Sequence, residues 1–334
     1  MTPLFLGLSG PMLTDDERAL FRQADPAGYI LFKRNCVDPD QLLALTDSLR
    51  ELADRDLPIL IDQEGGRVAR LQPPHWPLFP AADRFGALYD RAPITAIEAA
   101  RLNALALALT LRAAGITVDC APLIDVRTET GHDIIGNRAF GTDPMWVSAL
   151  GKATLDGLQA GGVVGVIKHI PGHGRALVDS HVALPIVTAD RAALETDFEP
   201  FRKLNAAPMA MTAHVVYTAL DPDRCATLSP VVIHDIIRGE IGFDGLLMSD
   251  DLGMHALGGT FAARALGSLQ AGCDIALHCS GDFAEMTEIV AVVPPISAAA
   301  EQRLAAAMLW AITPKPADFA EVTARRDEML ALLG

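Results

Sequence analysis

Apolar residues gather in this chain into short runs, and after each run they return every three or four positions. The runs fall at residues 4–9, 28–32, 58–62, 116–119, 163–168, 208–214, 245–250 and 274–279. Nearly continuous aliphatic runs of this length suit strands covered on both faces, and their alternation with helical periodicity predicts parallel strands joined by crossover helices. Helix punctuation falls between them. Thr14 with Glu17 makes a capping-box pattern, Asp38 precedes Pro39, and Ser229 precedes Pro230 at a first turn. The helical pattern over 95–113 stops before Gly115, a residue suited to the left-handed backbone that often follows a helix.

Eight such units predict an α/β fold, either a closed (β/α)8 TIM-like barrel or an open doubly wound sheet. The polar residues separate the two. Asp62, Lys168, His169, His214 and Asp250 all stand at or just past the carboxyl ends of their runs. In a barrel those ends converge on one mouth, where barrel active sites form, whereas an open sheet spreads them along a line. No GxGxxG follows the first run and no GxxxxGK[ST] occurs, which weakens a nucleotide-binding reading. A single catalytic barrel domain over residues 1–334 is expected, since no linker or low-complexity tract marks a second one. Stretches 63–93, 121–144 and 169–185 are too long for ordinary connections and are expected to be loops that build a site.

Charge and composition narrow the partners. A formal charge of −15 repels polyanions, and an aromatic content of 5% offers little for stacking bases, so neither nucleic acid nor an anionic membrane is an expected partner. The five cysteines, Cys36, Cys120, Cys225, Cys273 and Cys279, show no CxxC pair, which predicts reduced thiols rather than a disulfide framework or a zinc cluster. The amino-terminal stretch has no basic region and its apolar part is broken by Gly and Pro, and no later run is expected to cross a bilayer; a cytoplasmic location is the expectation. No exposed apolar helix face stands out, so a monomer is expected. Neither cofactor nor metal is expected, because His, Cys and carboxylates nowhere show ligand spacing.

Four segments carry candidate chemistry. In LIDQEGGRVARL, Asp62 and Arg70 could grip vicinal sugar hydroxyls as acceptor and multiple donor, or form an internal salt bridge; Arg67 reads as structural. In GNRAFGTDP, Arg138 lies between glycines in a loop, which alone says little. In IKHIPGHGRALVDSH, Lys168 emerges from a strand that should be buried and needs a carboxylate partner or a ligand, with His169 beside it. Farther on, Gly172 and Gly174 suggest hinge-like freedom, and Asp179 near His181 offers a carboxylate to fix an imidazole that works as acid or base. In GLLMSDDLGM, only one of Asp250 and Asp251 can face the mouth, and Asp250 has the better register while Asp251 is expected to cap the next helix.

Taken together, LIDQEGGRVARL, GNRAFG, KHIPGHG followed by DSH, MTAH and GFDGLLMSDDLGM resemble the family-three glycoside hydrolases, and in order and spacing the bacterial β-N-acetylglucosaminidases of peptidoglycan recycling. The resemblance implies a TIM-like barrel and a retaining, double-displacement mechanism. It further implies Asp250 as nucleophile, His181 as general acid/base, Asp179 as its orienting partner, and Asp62, Arg70, Arg138, Lys168 and His169 around the sugar. The implied substrate is a small saccharide or muropeptide. One departure stands out: Arg175-Ala176 follow PGHG where the resemblance calls for an acidic residue. Other readings stay open on the residues alone. A phosphorylase would replace water by phosphate on the same fold, and a non-catalytic barrel would bind saccharide without turnover. A metal-dependent amidohydrolase needs HxH at the first strand end, where this chain has GLSG.

Overall fold

The computed structural model describes residues 1–128, 131–178, 183–311 and 316–334. Within them, eight parallel strands form one sheet: β1 Thr2–Gly7, β2 Pro26–Leu31, β3 Ile59–Ile61, β4 Val118–Asp119, β5 Val164–Ile170, β6 Met209–Thr212, β7 Leu246–Met248 and β8 Ala276–His278. Each overlaps one of the eight apolar runs. The strands pair in the order β7-β6-β5-β4-β3-β2-β1-β8, and a parallel bridge between Met248 and Ile275 closes the ring. The chain is a TIM-like barrel.

Strand alternation sorts the side chains into two layers. Phe5, Ile30, Leu60, Val118, Val164, Val166, Met209, Met211, Leu246, Met248, Ile275 and Leu277 form the packed interior. Their neighbours point outward, Leu4, Leu6, Tyr29, Ile59 and Ile61 into one apolar layer and Ile167, Ala210 and Leu247 into another, where the helices cover them. Both faces of every strand are therefore buried, which is why the runs read as continuous rather than alternating.

The helices are α1 Asp15–Ala24, α2 Pro39–Ala53, α3 Ala82–Arg91, α4 Pro93–Ala113, α5 Pro144–Ala160, α6 Arg191–Lys203, α7 Phe261–Ala271, α8 Phe283–Val290, α9 Ala298–Met308 and α10 Phe319–Leu330, with a further helical segment, Val232–Glu240, after β6. Thr14 and Glu17 make the reciprocal capping bonds, and Glu17 also accepts from the Ser9 N–H, fastening β1's exit to α1. Asp38 accepts from the Gln41 N–H at the start of α2, and Gly115 takes φ +73° after α4. Leu304 and Ala307 of α9 join the interior cluster with Ala27 and Phe5, so this helix plugs the end of the barrel opposite the mouth.

One expectation needs correction. Stretch 63–93 is not all loop: α3 occupies its second half, with Phe85 and Leu88 buried. Helix α4, with 21 residues and mean hydropathy 1.4 over its most apolar window, is long and apolar enough by those measures to cross a membrane. In this fold it packs instead between α5 and α10, where alanines and leucines allow close approach.

Candidate active site

The register that fills the barrel also aims its polar residues. Two positions beyond the inward-facing Leu60, Val166 and Met248 come Asp62, Lys168 and Asp250, which continue the inward parity past the last apolar layer. They open into a cavity of about 360 Å3 at the carboxyl ends of the strands, lined also by Arg70, Arg138 and His169. Every predicted site residue within the described positions thus faces one space. Asp179 and His181 lie outside the described residues.

The floor of the cavity is an ion network. Lys168 Nζ sits 3.0 Å from Asp62 Oδ1 and 2.6 Å from Glu64 Oε1. Asp62 takes Arg70 on its other oxygen at 2.9 Å, and Glu64 receives Arg138 through two bonds of 2.8 and 2.7 Å. A charge as enclosed as Lys168, at 2% exposure, survives only with such partners. Burial opposes its charge, yet the two carboxylates push its pKa above the ordinary lysine value. Burial likewise opposes ionisation of Asp62, and Lys168 and Arg70 overcome it, holding the carboxyl below its usual range. Both sequence readings of the Asp62–Arg70 pair therefore hold together: it is a salt bridge, and it lines the cavity. Arg67 donates to the Ile134 carbonyl at 2.6 Å and to that of Asp133, which ties two loops together as its structural reading expected.

Sequence reasoning passed over Glu64. Its signal was parity, since Glu64 stands two positions after Asp62 in a turn of glycines.

Asp125 was missed as well. It is fully buried and accepts from the His173 N–H at 2.6 Å, the His169 N–H at 3.2 Å and His169 Nδ1 at 2.8 Å. One carboxylate thus fixes both the backbone after β5 and the ring of His169. The signal was the repeated Leu-Ile-Asp of 60–62 and 123–125, hidden because the fourth run was ended at residue 119.

Asp250 is held from behind. Its Oδ1 accepts the Asp251 N–H at 2.8 Å, and its own N–H points at Thr212 Oγ1, 3.3 Å away. Burial would raise its pKa, but His214, His169, the Asp251 N–H and Lys168 outweigh that and keep it below the usual aspartate value. A carboxylate so placed is charged at neutral pH, with Oδ2 free of that backbone bond. Asp251 does different work. Its Oδ1 accepts from Gly253 at 2.9 Å and from the Cys279 N–H at 3.0 Å, so it secures a turn and the end of β8 rather than capping a helix as expected. His214 braces the same turn by spanning the Asp251 carbonyl, 2.9 Å, and Thr227 Oγ1, 2.7 Å.

The glycines after β5 are not hinges. A Cβ on Gly174 would lie 1.8 Å from the Val126 carbonyl oxygen, and one on Gly172, at φ +138°, would lie 2.8 Å from Asp197 Cβ. Tyr217 donates its hydroxyl to the Gly172 carbonyl at 2.7 Å. These glycines allow close packing and fix the loop's base.

All five cysteines are free thiols. Among the described residues no three His, Cys, Asp or Glu side chains converge as a metal site.

Known proteins resemble this chain in sequence and in fold. The Glycosyl hydrolase family 3 N terminal domain matches residues 8–309. A "Beta-hexosaminidase" of Alkalilimnicola ehrlichii is 41% identical over 283 residues, 83% of this chain and 80% of that protein. Another of that name, from Stenotrophomonas maltophilia, is 40% identical over 84% of each chain. Among solved structures, NagZ from Neisseria gonorrhoeae in complex with N-trifluoroacetyl-D-glucosamine superposes with a TM-score of 0.87 at 30% identity, covering 100% of this chain and 98% of its own. A family 3 β-N-acetylglucosaminidase from Paenibacillus reaches 0.88 at 31% identity, over 98% of this chain and 67% of its own. The chain belongs to glycosyl hydrolase family 3, as a glycoside hydrolase of the β-hexosaminidase group.

Proposed function

We propose that this enzyme removes terminal, non-reducing, β-linked N-acetylglucosamine from muropeptides in peptidoglycan recycling, in the cytoplasm, with an anhydro-muramic sugar as leaving group. One observation carries the reading: an ionised, backbone-anchored Asp250 shares its cavity with a Lys168–Asp62–Arg70 cluster able to grip sugar hydroxyls. In this reading Asp62, Arg70, Lys168 and His169 hold the hydroxyls, and Arg138, drawn mainly to Glu64, steadies that set. The chain acts as a single catalytic domain.

The chemistry follows from the charges. Asp250 Oδ2 attacks the anomeric carbon while His181, oriented by Asp179, protonates the departing oxygen. The C–O bond to the leaving group breaks and a glycosyl ester forms on Asp250. The neutral imidazole left behind takes a proton from water, which opens the ester and restores both groups. An imidazole in the acid role spares the site a second carboxylate beside Asp250, where two like charges would compete.

Release of aryl alcohol from an aryl β-N-acetylglucosaminide, followed by proton NMR of the sugar, tests reaction and stereochemistry together. The β-anomer is expected first. The α-anomer would overturn the double displacement, release from the glucoside alone would overturn the sugar, and sugar 1-phosphate in phosphate buffer would mark a phosphorylase.

A further inference from the structure

Arg175, the departure noted in the loop after β5, is tied into the helical layer. Its Nε donates to Asp197 Oδ2 at 2.5 Å and its terminal nitrogen to the Ala193 carbonyl at 2.9 Å, both acceptors on α6. Asp197 is 1% exposed, and its other oxygen has no partner among the described residues. Gly172 packs against the same aspartate. Burial pushes the Asp197 carboxyl up to about 6 although Arg175 pulls it down, so the site tolerates this charge only with the guanidinium in place. The next two residues change character: Leu177 and Val178 are 60% and 40% exposed.

Arg175 therefore fixes the described chain four residues before Asp179 and six before His181. A guanidinium that engages two acceptors in its planar fork fixes direction as well as place. Across the six residues from Arg175 to His181, a small error at the origin becomes a larger one at the ring. Misplacing a catalytic group by about 1 Å can cost on the order of a hundredfold in rate.

We propose that the Arg175–Asp197 clamp is a positioning device for the acid/base loop, setting where His181 meets the leaving-group oxygen. This rests on the assignment of His181 as general acid. An acid matters in proportion to how badly the leaving group needs a proton, so the clamp acts on natural aglycones and is silent for activated ones.

Single-turnover formation of the glycosyl-enzyme, measured for Arg175→Ala, Arg175→Lys, Asp197→Asn and His181→Ala, decides it. The substrates are an N-acetylglucosamine-containing disaccharide and a dinitrophenyl glycoside. Arg175→Ala should lose roughly ten- to a hundredfold on the disaccharide and nothing on the dinitrophenyl glycoside. Arg175→Lys should recover part of that loss, because an ammonium cannot span both acceptors. Asp197→Asn, which leaves no buried charge unpaired and so protects the fold, should show the same selectivity more weakly. Equal losses on both substrates in the Arg175 and Asp197 variants, or no loss, would overturn the clamp while a selective His181→Ala keeps the acid assignment. Equal losses in His181→Ala would overturn that assignment and the clamp with it.

Discussion

Asp250, Asp62 and Lys168 were legible in the sequence because each ends an apolar run on the inward parity, and parity survives any error in a strand's exact end. Glu64 and Asp125 were not, because their reason for being acidic lies across the fold. Glu64 balances Lys168 and Arg138, and Asp125 balances the His169 ring, none of them a near neighbour in sequence. His173, enclosed at 3% exposure, shows what such burial does to titration. Burial and the His169 ring push its pKa down to about 4 from 6.5, against the pull of Asp125. Between those values the unfolded chain binds a proton that the folded protein refuses, so acidification through that window weakens the fold, by up to about 3 kcal/mol, and the penalty vanishes above it. Denaturant unfolding at pH 7, 5.5 and 4 should show this loss in the native protein and a shallower one in His173→Gln. Parallel losses in both would place the acid sensitivity elsewhere.

The strands were read with their order and type intact, since two-sided burial leaves a short unbroken apolar signature, and α4, which matches it in apolar content, exceeds it in length at 21 residues. The long connections were read less well. Helix α3 was hidden inside an expected loop because its apolar positions, Phe85 and Leu88, are few and its first cap, Ala81, makes no side-chain bond. The glycines after β5 were mistaken for hinges because a sequence shows that Cβ is missing, not whether space or packing is the reason. Gly174→Ala separates those cases. Against the Val126 carbonyl the added methyl forces the backbone to shift and should cost about 1–3 kcal/mol, read from urea unfolding. At a true hinge the same change would be neutral or would stabilise by roughly 0.4–1 kcal/mol through the unfolded chain, and that result would restore the hinge.

Closure of the barrel depends on one seam. Between β7 and β8 the pairing is a single bridge, and Asp274 reinforces it, accepting from the Leu247 N–H at 2.9 Å, Arg238 at 2.7 Å and Arg303 at 3.0 Å. Asp274→Ala should therefore cost about 3–5 kcal/mol of unfolding free energy, with turnover at 25 °C nearly intact because Asp274 precedes β8 at the end of the seam away from the cavity. A loss below about 1 kcal/mol would mean that backbone pairing and packing close the ring unaided. What the closed ring achieves is convergence: residues from β3, β5 and β7, far apart in the chain, meet over one sugar-sized space with Asp250 as its only proposed nucleophile. The most direct test is covalent. A 5-fluoro-N-acetylglucosaminyl fluoride should inactivate the native enzyme with one sugar attached, and peptide mass mapping should find that sugar on Asp250. The same label on Asp251, on Asp62 or on any other carboxylate, or inactivation of Asp250→Ala with the same adduct, would contradict the account.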